Sequence, residues 1–249
     1  FRLAVLNTED FPEWVETDGM TVFSLPKETL LKAIENTAYA IGEYDTRYIL
    51  NGLMFEVKED SIHFAGTDGH RLAHVKVPFE SNAGKQRMIL PKKFVNELKK
   101  LLDDFEGEAV AFKFSSDSNF VQFILNGIKF QTRLIQGSYP DYESVIPRNN
   151  NKVALINKKD FLTSLKRVAV ISKERNKVVV TNWQDGLLTI SAQDPELGEA
   201  NDVVEIDYQG NQLTIGFNAD YMIEAVEGIS SEKVKVTMSE SDRAIYNRY

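Results

Sequence analysis

The sequence contains no cysteine. That excludes disulfide staples, thiolate nucleophiles and cysteine-ligated zinc together, and it agrees with a reducing compartment. No run approaches the roughly 18 consecutive apolar residues of a membrane-spanning helix, and the first residues lack the basic-then-apolar order of a secretory signal. A cytosolic protein is expected. There is no Gly-rich phosphate-cradling loop and no evident Ser/His/Asp or paired-carboxylate arrangement, so an enzymatic reading has little to hold. Base is outweighed by acid: 29 Lys and Arg against 37 Asp and Glu give a net charge of -8. This excludes a uniformly basic nucleic-acid binder, but not a basic face on an acidic body.

What is present is a repeat. An apolar strand end, then Pro or Asn, then a short amphipathic helix occurs as Phe23-Ser24-Leu25-Pro26, Met88-Ile89-Leu90-Pro91, Ala154-Leu155-Ile156-Asn157 and Ile215-Gly216-Phe217-Asn218. The spacings between successive copies are 65, 66 and 61 residues. Pro suits the first helical position and Asn the N-cap. Apolar residues then follow helical spacing, as in Phe94, Val95, Leu98, Leu101 and Leu102, or Phe161, Leu162, Leu165 and Val168.

Strand-like segments come after each helix: 48–57, 61–66 and 71–77; 109–114, 120–125 and 128–135; 178–182, 187–192 and 203–208; then 234–238 and a weak 244–246. Asn126-Gly127 between alternating runs is a strong hairpin signal. Residues 1–6 look like one further strand with no local partner, as if a piece of a longer chain. Two units make a domain of ordinary size, and the polar run Pro147-Arg148-Asn149-Asn150-Asn151-Lys152 marks the boundary. The last unit is short of strands, so both ends look cut.

Two local features bear on function. The turn Thr67-Asp68-Gly69-His70-Arg71-Leu72-Ala73 joins two alternating runs and puts His70 and His74 on one face if the segment is a strand. A metal-dependent enzyme using that pair, near Asp68, is therefore an alternative reading. The helix over 91–105 carries a net +1 and that over 157–171 a net +3, whereas the fourth helix has only acids. Such lysines are either a solvated face or contacts to phosphate without base readout.

The segments Arg47-Tyr48-Ile49-Leu50-Asn51-Gly52, Thr67 to Ala73, Gly137-Ser138-Tyr139-Pro140-Asp141-Tyr142 with Val145-Ile146-Pro147, and Phe217-Asn218-Ala219-Asp220-Tyr221 closely resemble the bacterial DNA polymerase III beta subunit family, the beta sliding clamps. The resemblance runs from residue 1 to about 245 and implies an α+β DNA clamp fold of repeated helix-plus-antiparallel-sheet units, two per domain. It implies a remnant of the first domain over 1–19, the central domain over 20–146 and a truncated C-terminal domain over 150–249. When full length, such chains form a homodimeric ring around double-stranded DNA without reading sequence, and need no cofactor. By motif position Tyr48, Lys92, Lys93, Lys100 and Arg148 would face DNA.

The resemblance also implies a hydrophobic pocket for short peptide motifs of the polymerase III catalytic subunit, the clamp loader, repair polymerases and mismatch-repair proteins. Matching positions are Leu50, Thr67, Gly69, His70, Arg71 and Leu72, then Pro140, Ser144 and Val145, with Ala244 in the last unit. Ser144 stands where some relatives have Arg. The Met-Pro-Met-like ending that completes the pocket is absent. A protein scaffold without a DNA role is the remaining alternative.

Overall fold

The computed structural model describes residues 3–5, 7–10, 20–81, 85–114, 119–125, 127–172 and 177–248. The hairpin residue Asn126 and parts of the expected first strand lie outside these. Leu3, Ala4 and Val5 are described, and they form no strand. A lone strand has no ladder to join, so its backbone gains nothing from extension.

The first half runs β1 (Thr21–Pro26), α1 (Lys27–Glu35), β2 (Gly52–Val57), β3 (Ser61–Thr67), β4 (Leu72–Pro78), β5 (Gln86–Pro91), α2 (Lys92–Asp104), β6 (Ala109–Phe114), β7 (Phe120–Leu125) and β8 (Ile128–Arg133). A short α3 (Tyr142–Val145) leads to the second half: β9 (Lys152–Asn157), α4 (Lys158–Ala169), β10 (Val178–Gln184), β11 (Leu187–Asp194), β12 (Gly198–Tyr208), β13 (Leu213–Asn218), α5 (Ala219–Glu227), β14 (Lys233–Met238) and β15 (Tyr246–Arg248). The predicted repeat of helix and antiparallel strands is present, and the α+β expectation holds.

Units pair by exchanging strands. The first strand of each unit joins the sheet of its sister: β1 pairs with β6, β5 with β2, β9 with β14 and β13 with β10, and among the described residues β9 alone of these four also pairs within its own unit, with β12. The four junction residues occupy one register, Pro26 opposite Ala109, Pro91 opposite Gly52, Asn157 opposite Lys233 and Asn218 opposite Val178. The first half thus has sheets ordered β1-β6-β7-β8 and β4-β3-β2-β5, while the second half joins into one sheet, β13-β10-β11-β12-β9-β14-β15.

The strand-to-helix turn follows from the junction residue. Pro26 and Pro91 act as N-caps with ψ of 136° and 139°, one residue earlier than expected, because an extended Pro closes the strand before the helix begins. Asn157 caps with its side chain, accepting from the backbone N–H of Lys159 and Asp160, and Asn218 accepts from Tyr221. Each half then buries its apolar faces in a separate core. In the first, Phe112 stacks on Phe23 at 5.0 Å and meets Phe55 edge-on at 5.2 Å, beneath Leu30, Ile34, Val95 and Leu98 of the two helices. In the second, Trp183, Tyr208 and Phe161 fill the same role.

Sequence reading errs at 48–51. Tyr48–Asn51 is a 3-10 turn rather than the start of β2. Leu50 points inward there and is only 2 % exposed, with its carbonyl accepting from Gly42 N–H at 2.9 Å.

Candidate functional site

The turn between β3 and β4 is held by its own side chains. Thr67 Oγ1 donates to the carbonyl of Arg71 at 2.6 Å and accepts from Gly69 N–H at 3.0 Å. Asp68 Oδ1 accepts from the N–H groups of His70 and Arg71 at 2.9 and 3.1 Å. Gly69 has φ of 86°, which glycine adopts without a Cβ clash, and Arg47 stacks over it so closely that a Cβ would meet the guanidinium at 2.7 Å. Arg47 itself forks onto Asp45 at 3.0 and 2.7 Å and holds that carboxyl at a pKa of about 2. Sequence reading quoted Arg47 only as part of a motif; its role as a brace was not visible without the turn.

Beside this turn, the outer face of the β2–β5 sheet carries a second apolar cluster. Met54, Ala65, Ile89, Tyr139 and Tyr142 are buried, and Ile49, Leu72, Ile135 and Ile146 pack against them. The 135–146 segment is pinned across the sheet by Tyr139 OH donating to Ala65 carbonyl at 3.1 Å and Tyr142 OH donating to Glu56 at 3.1 Å. Leu72 therefore borders an apolar floor, His70 and Pro140 stand exposed near it, and Val145 is 60 % exposed on α3. Ser144 is exposed and donates to Asp141 carbonyl at 2.8 Å. Leu50 lies beneath the surface. Ala244 is tied to the linker, its carbonyl accepting from Asn150 at 3.2 Å.

Beneath Tyr142 sits a polar network that the sequence did not announce. Glu56 is fully buried, receiving Arg87 at 3.1 and 2.7 Å with Lys58 at 3.5 Å and Lys85 at 3.3 Å. Burial alone would raise its pKa, but the hydrogen bonds and charge of Arg87, with Lys58, outweigh that and hold it low. His74 pairs with His63 at 2.9 Å between ring nitrogens, not with His70, because β4 begins only at Leu72 and His70 belongs to the turn. Among the described residues no group of three or more His, Asp or Glu could hold a metal. The metal-enzyme alternative has no ligand set among them.

The lysines divide into two kinds. Lys27, Lys92 and Lys158 each open a helix; Lys27 and Lys158 turn back onto the end of the neighbouring one, and Lys92 onto the residue that closes the short 3-10 turn Ala38–Ala40 beyond α1. Lys27 donates to Phe105 carbonyl, Lys92 to Ile41 carbonyl at 3.3 Å, and Lys158 to the carbonyls of Ile229 and, at 3.0 Å, Glu227. Cations at helix C-termini satisfy orphan carbonyls and the negative end of the dipole. Lys92 also pairs with Glu43 at 3.2 Å. The next residue along faces solvent: Lys93 and, by repeat, Lys159 are exposed, as is Arg148 on the linker. Lys159 counts in the basic charge of its helix but not among the DNA-facing positions that the resemblance implies, although the repeat equates it with Lys93.

Lys93, Lys99 and Lys100 line a groove of ≈ 880 Å³ along α2, with Glu97, Asp103 and the exposed Tyr44. Tyr48 is 61 % exposed nearby in sequence. On α4 the +3 is largely spent internally, since Lys166 pairs with Glu227 and Arg167 with Asp202, both at 2.6 Å.

Comparison with known proteins agrees with this architecture. The family model of the DNA polymerase III beta subunit, central domain, matches residues 24–141, and that of its C-terminal domain matches 143–247. The beta sliding clamp of Salmonella typhimurium is 30% identical over 241 residues, covering 97% of this chain and 65% of that protein. The chain thus spans about two thirds of the length of such relatives. Among solved structures, the DNA polymerase III subunit beta from Pseudomonas aeruginosa superposes with a TM-score of 0.92 at 30% identity, covering 98% of this chain and 66% of that one. The sliding clamp from Bartonella birtlesii bound to griselimycin gives 0.89 at 32%, covering 98% and 67%. With the two family models covering most of its length and the fold superposing on solved clamps, the chain belongs to the DNA polymerase III beta subunit family, the beta sliding clamps.

Proposed function

We propose that this chain is the central and C-terminal part of a DNA sliding clamp, a non-catalytic tether that keeps a polymerase on duplex DNA. Domains over 20–146 and 150–249, with 1–19 as the tail of a first domain, are the division that suits the two separate cores. The observation that carries the reading is family likeness along 97% of the chain. Exposed cations at Lys93 and Arg148, and at Lys100 where a surface pair with Glu97 at 2.9 Å can open, suit weak, sequence-independent contact with phosphate, which a sliding ring needs. Lys92, already engaged, contributes mainly to the fold. As a homodimeric ring the full-length protein would work in the cytoplasm on the nucleoid.

The apolar wall at Leu72, rimmed by His70, Pro140 and Val145, is the proposed seat for short peptides of the polymerase catalytic subunit, the clamp loader and repair proteins. A relative bound to griselimycin supports a ligand-accepting surface in the family. The decisive experiment loads the full-length protein onto nicked circular DNA and then linearises it. Retention on the circle and loss from the linear form is expected; equal retention on both would refute the tether.

A further inference from the structure

We propose that Arg71 is an interdomain strut: a positioning residue that fixes the angle between the two halves of the chain. The consequence drawn for peptide binding rests on the clamp reading above, but the strut itself does not.

The halves are joined in sequence by an exposed polar run after Ile146, which cannot by itself set an angle. Among the described residues, the polar and ring contacts between the halves gather at Arg71 and its neighbour His70. The Arg71 guanidinium uses its whole fork. Nε donates to Asp68 at 3.1 Å, Nη2 to the carbonyl of Tyr39 at 2.7 Å, and Nη1 to Glu224 on α5 of the other half. Its plane lies over the Tyr221 ring at 4.2 Å and faces Tyr39 at 5.5 Å, and the His70 ring lies 6.5 Å from that of Tyr221 at an interplanar angle of 27°.

Two physical points make this a strut rather than a surface ion pair. The arm is rigid, because Asp68 and Thr67 lock the turn that carries Arg71 before it reaches across. Its grip is directional, because a planar fork between two aromatic faces resists rotation as well as separation, which a lysine point charge would not. The Arg71 side chain is only 18% exposed, so water competes weakly for these bonds. Close packing of Tyr39 against Gly228, where a Cβ would meet the ring at 3.2 Å, seats the same junction from the other side.

Since Leu72 follows Arg71 directly, a strut that holds the halves also holds the apolar wall against the second half. Arg71 then acts on peptide binding through the frame, and its charge is already engaged by internal partners.

The test exploits the absence of native cysteine. Spin labels at Lys129→Cys and Asp185→Cys, exposed positions in the two halves, report the distance between them in the unliganded chain by pulsed electron resonance. A narrow distribution is expected in the parent, broadening in Arg71→Ala and in Glu224→Ala, with Arg71→Lys between. Glu224 is exposed enough for its substitution to leave the fold intact, which guards against misfolding of the Arg71 variant. A Gln-Leu-x-Leu-Phe-type peptide should bind several-fold more weakly to Glu224→Ala. Unchanged widths in both alanine variants would overturn the strut. Broadening in a chain whose parent binds no peptide would uphold the strut and overturn the peptide reading alone.

Discussion

Nδ1 of His63 lies 2.9 Å from Nε2 of His74, one ring donating and the other accepting, so the pair is satisfied only while both are not protonated. Burial, with His63 alongside, holds His74 down to about 4, and burial with Lys58 lowers His63 as well. A base whose pKa is lower in the folded chain leaves the unfolded chain with more bound protons, so stability is complete above about pH 6.5 and is lost as pH falls toward 4. For a ring partly open to water we expect a loss of about 2 kcal/mol across that window. Urea unfolding at pH 7.5 and 5.0 checks it: a His74→Leu variant should lose less than the parent between the two, and parallel losses would clear the pair of any role.

Glu56→Ala should destabilise the first half by roughly 2–4 kcal/mol, because it leaves Arg87 without its buried carboxylate and takes from Lys58 and the Tyr142 hydroxyl one of two acceptors, Glu143 remaining to both. Tyr142→Phe removes one hydrogen bond and should cost about 1 kcal/mol. Denaturant midpoints measure both. If the two substitutions cost the same, Glu56 is no hub.

Lys92 and Lys93 are adjacent and should behave oppositely. Lys92→Met gives up its bonds to the Ile41 carbonyl and Glu43 and should lower stability by about 0.5–1 kcal/mol while changing DNA retention little. Lys93→Glu should leave stability within about 0.5 kcal/mol and weaken retention on circular DNA. Thermal melts beside a retention assay separate the two, and a reversed pattern would overturn the division of the lysines.

The apolar positions split in the same way. Leu50→Ala opens a cavity under the 48–51 turn and should cost about 2–4 kcal/mol of stability. Leu72→Ala, at the edge of the wall, should mainly weaken peptide binding, by roughly 1–3 kcal/mol. Calorimetric titration against unfolding data decides it.

Repetition and helix faces were legible because each depends on neighbours in sequence: the Pro or Asn junction and the apolar spacing recur with little change. The wall near Leu72 was legible through its motif. What was hidden depends on partners far along the chain. Leu50 enters the pocket set only through the family resemblance, and the 3-10 turn that replaces the expected strand start at 48–51 shows why it points inward. Lys92 and Lys93 are told apart only by the Ile41 carbonyl and Glu43, which the fold brings beside Lys92. His74 seemed to belong with His70 by period, yet β3 brought His63 to it instead.

Strand exchange makes each unit the completion of another. A single unit cut from its sister would carry two sheet edges built to receive someone else's strand, and an edge of that kind captures whatever extended chain it meets. Residues 20–81 alone would lack both β5 for β2 and β6 for β1. Two copies of one unit, however, could answer each other's vacancies. The smallest self-sufficient object in this architecture is therefore a pair, and a chain can lengthen or shorten by pairs without parting a strand from the sister it pairs with.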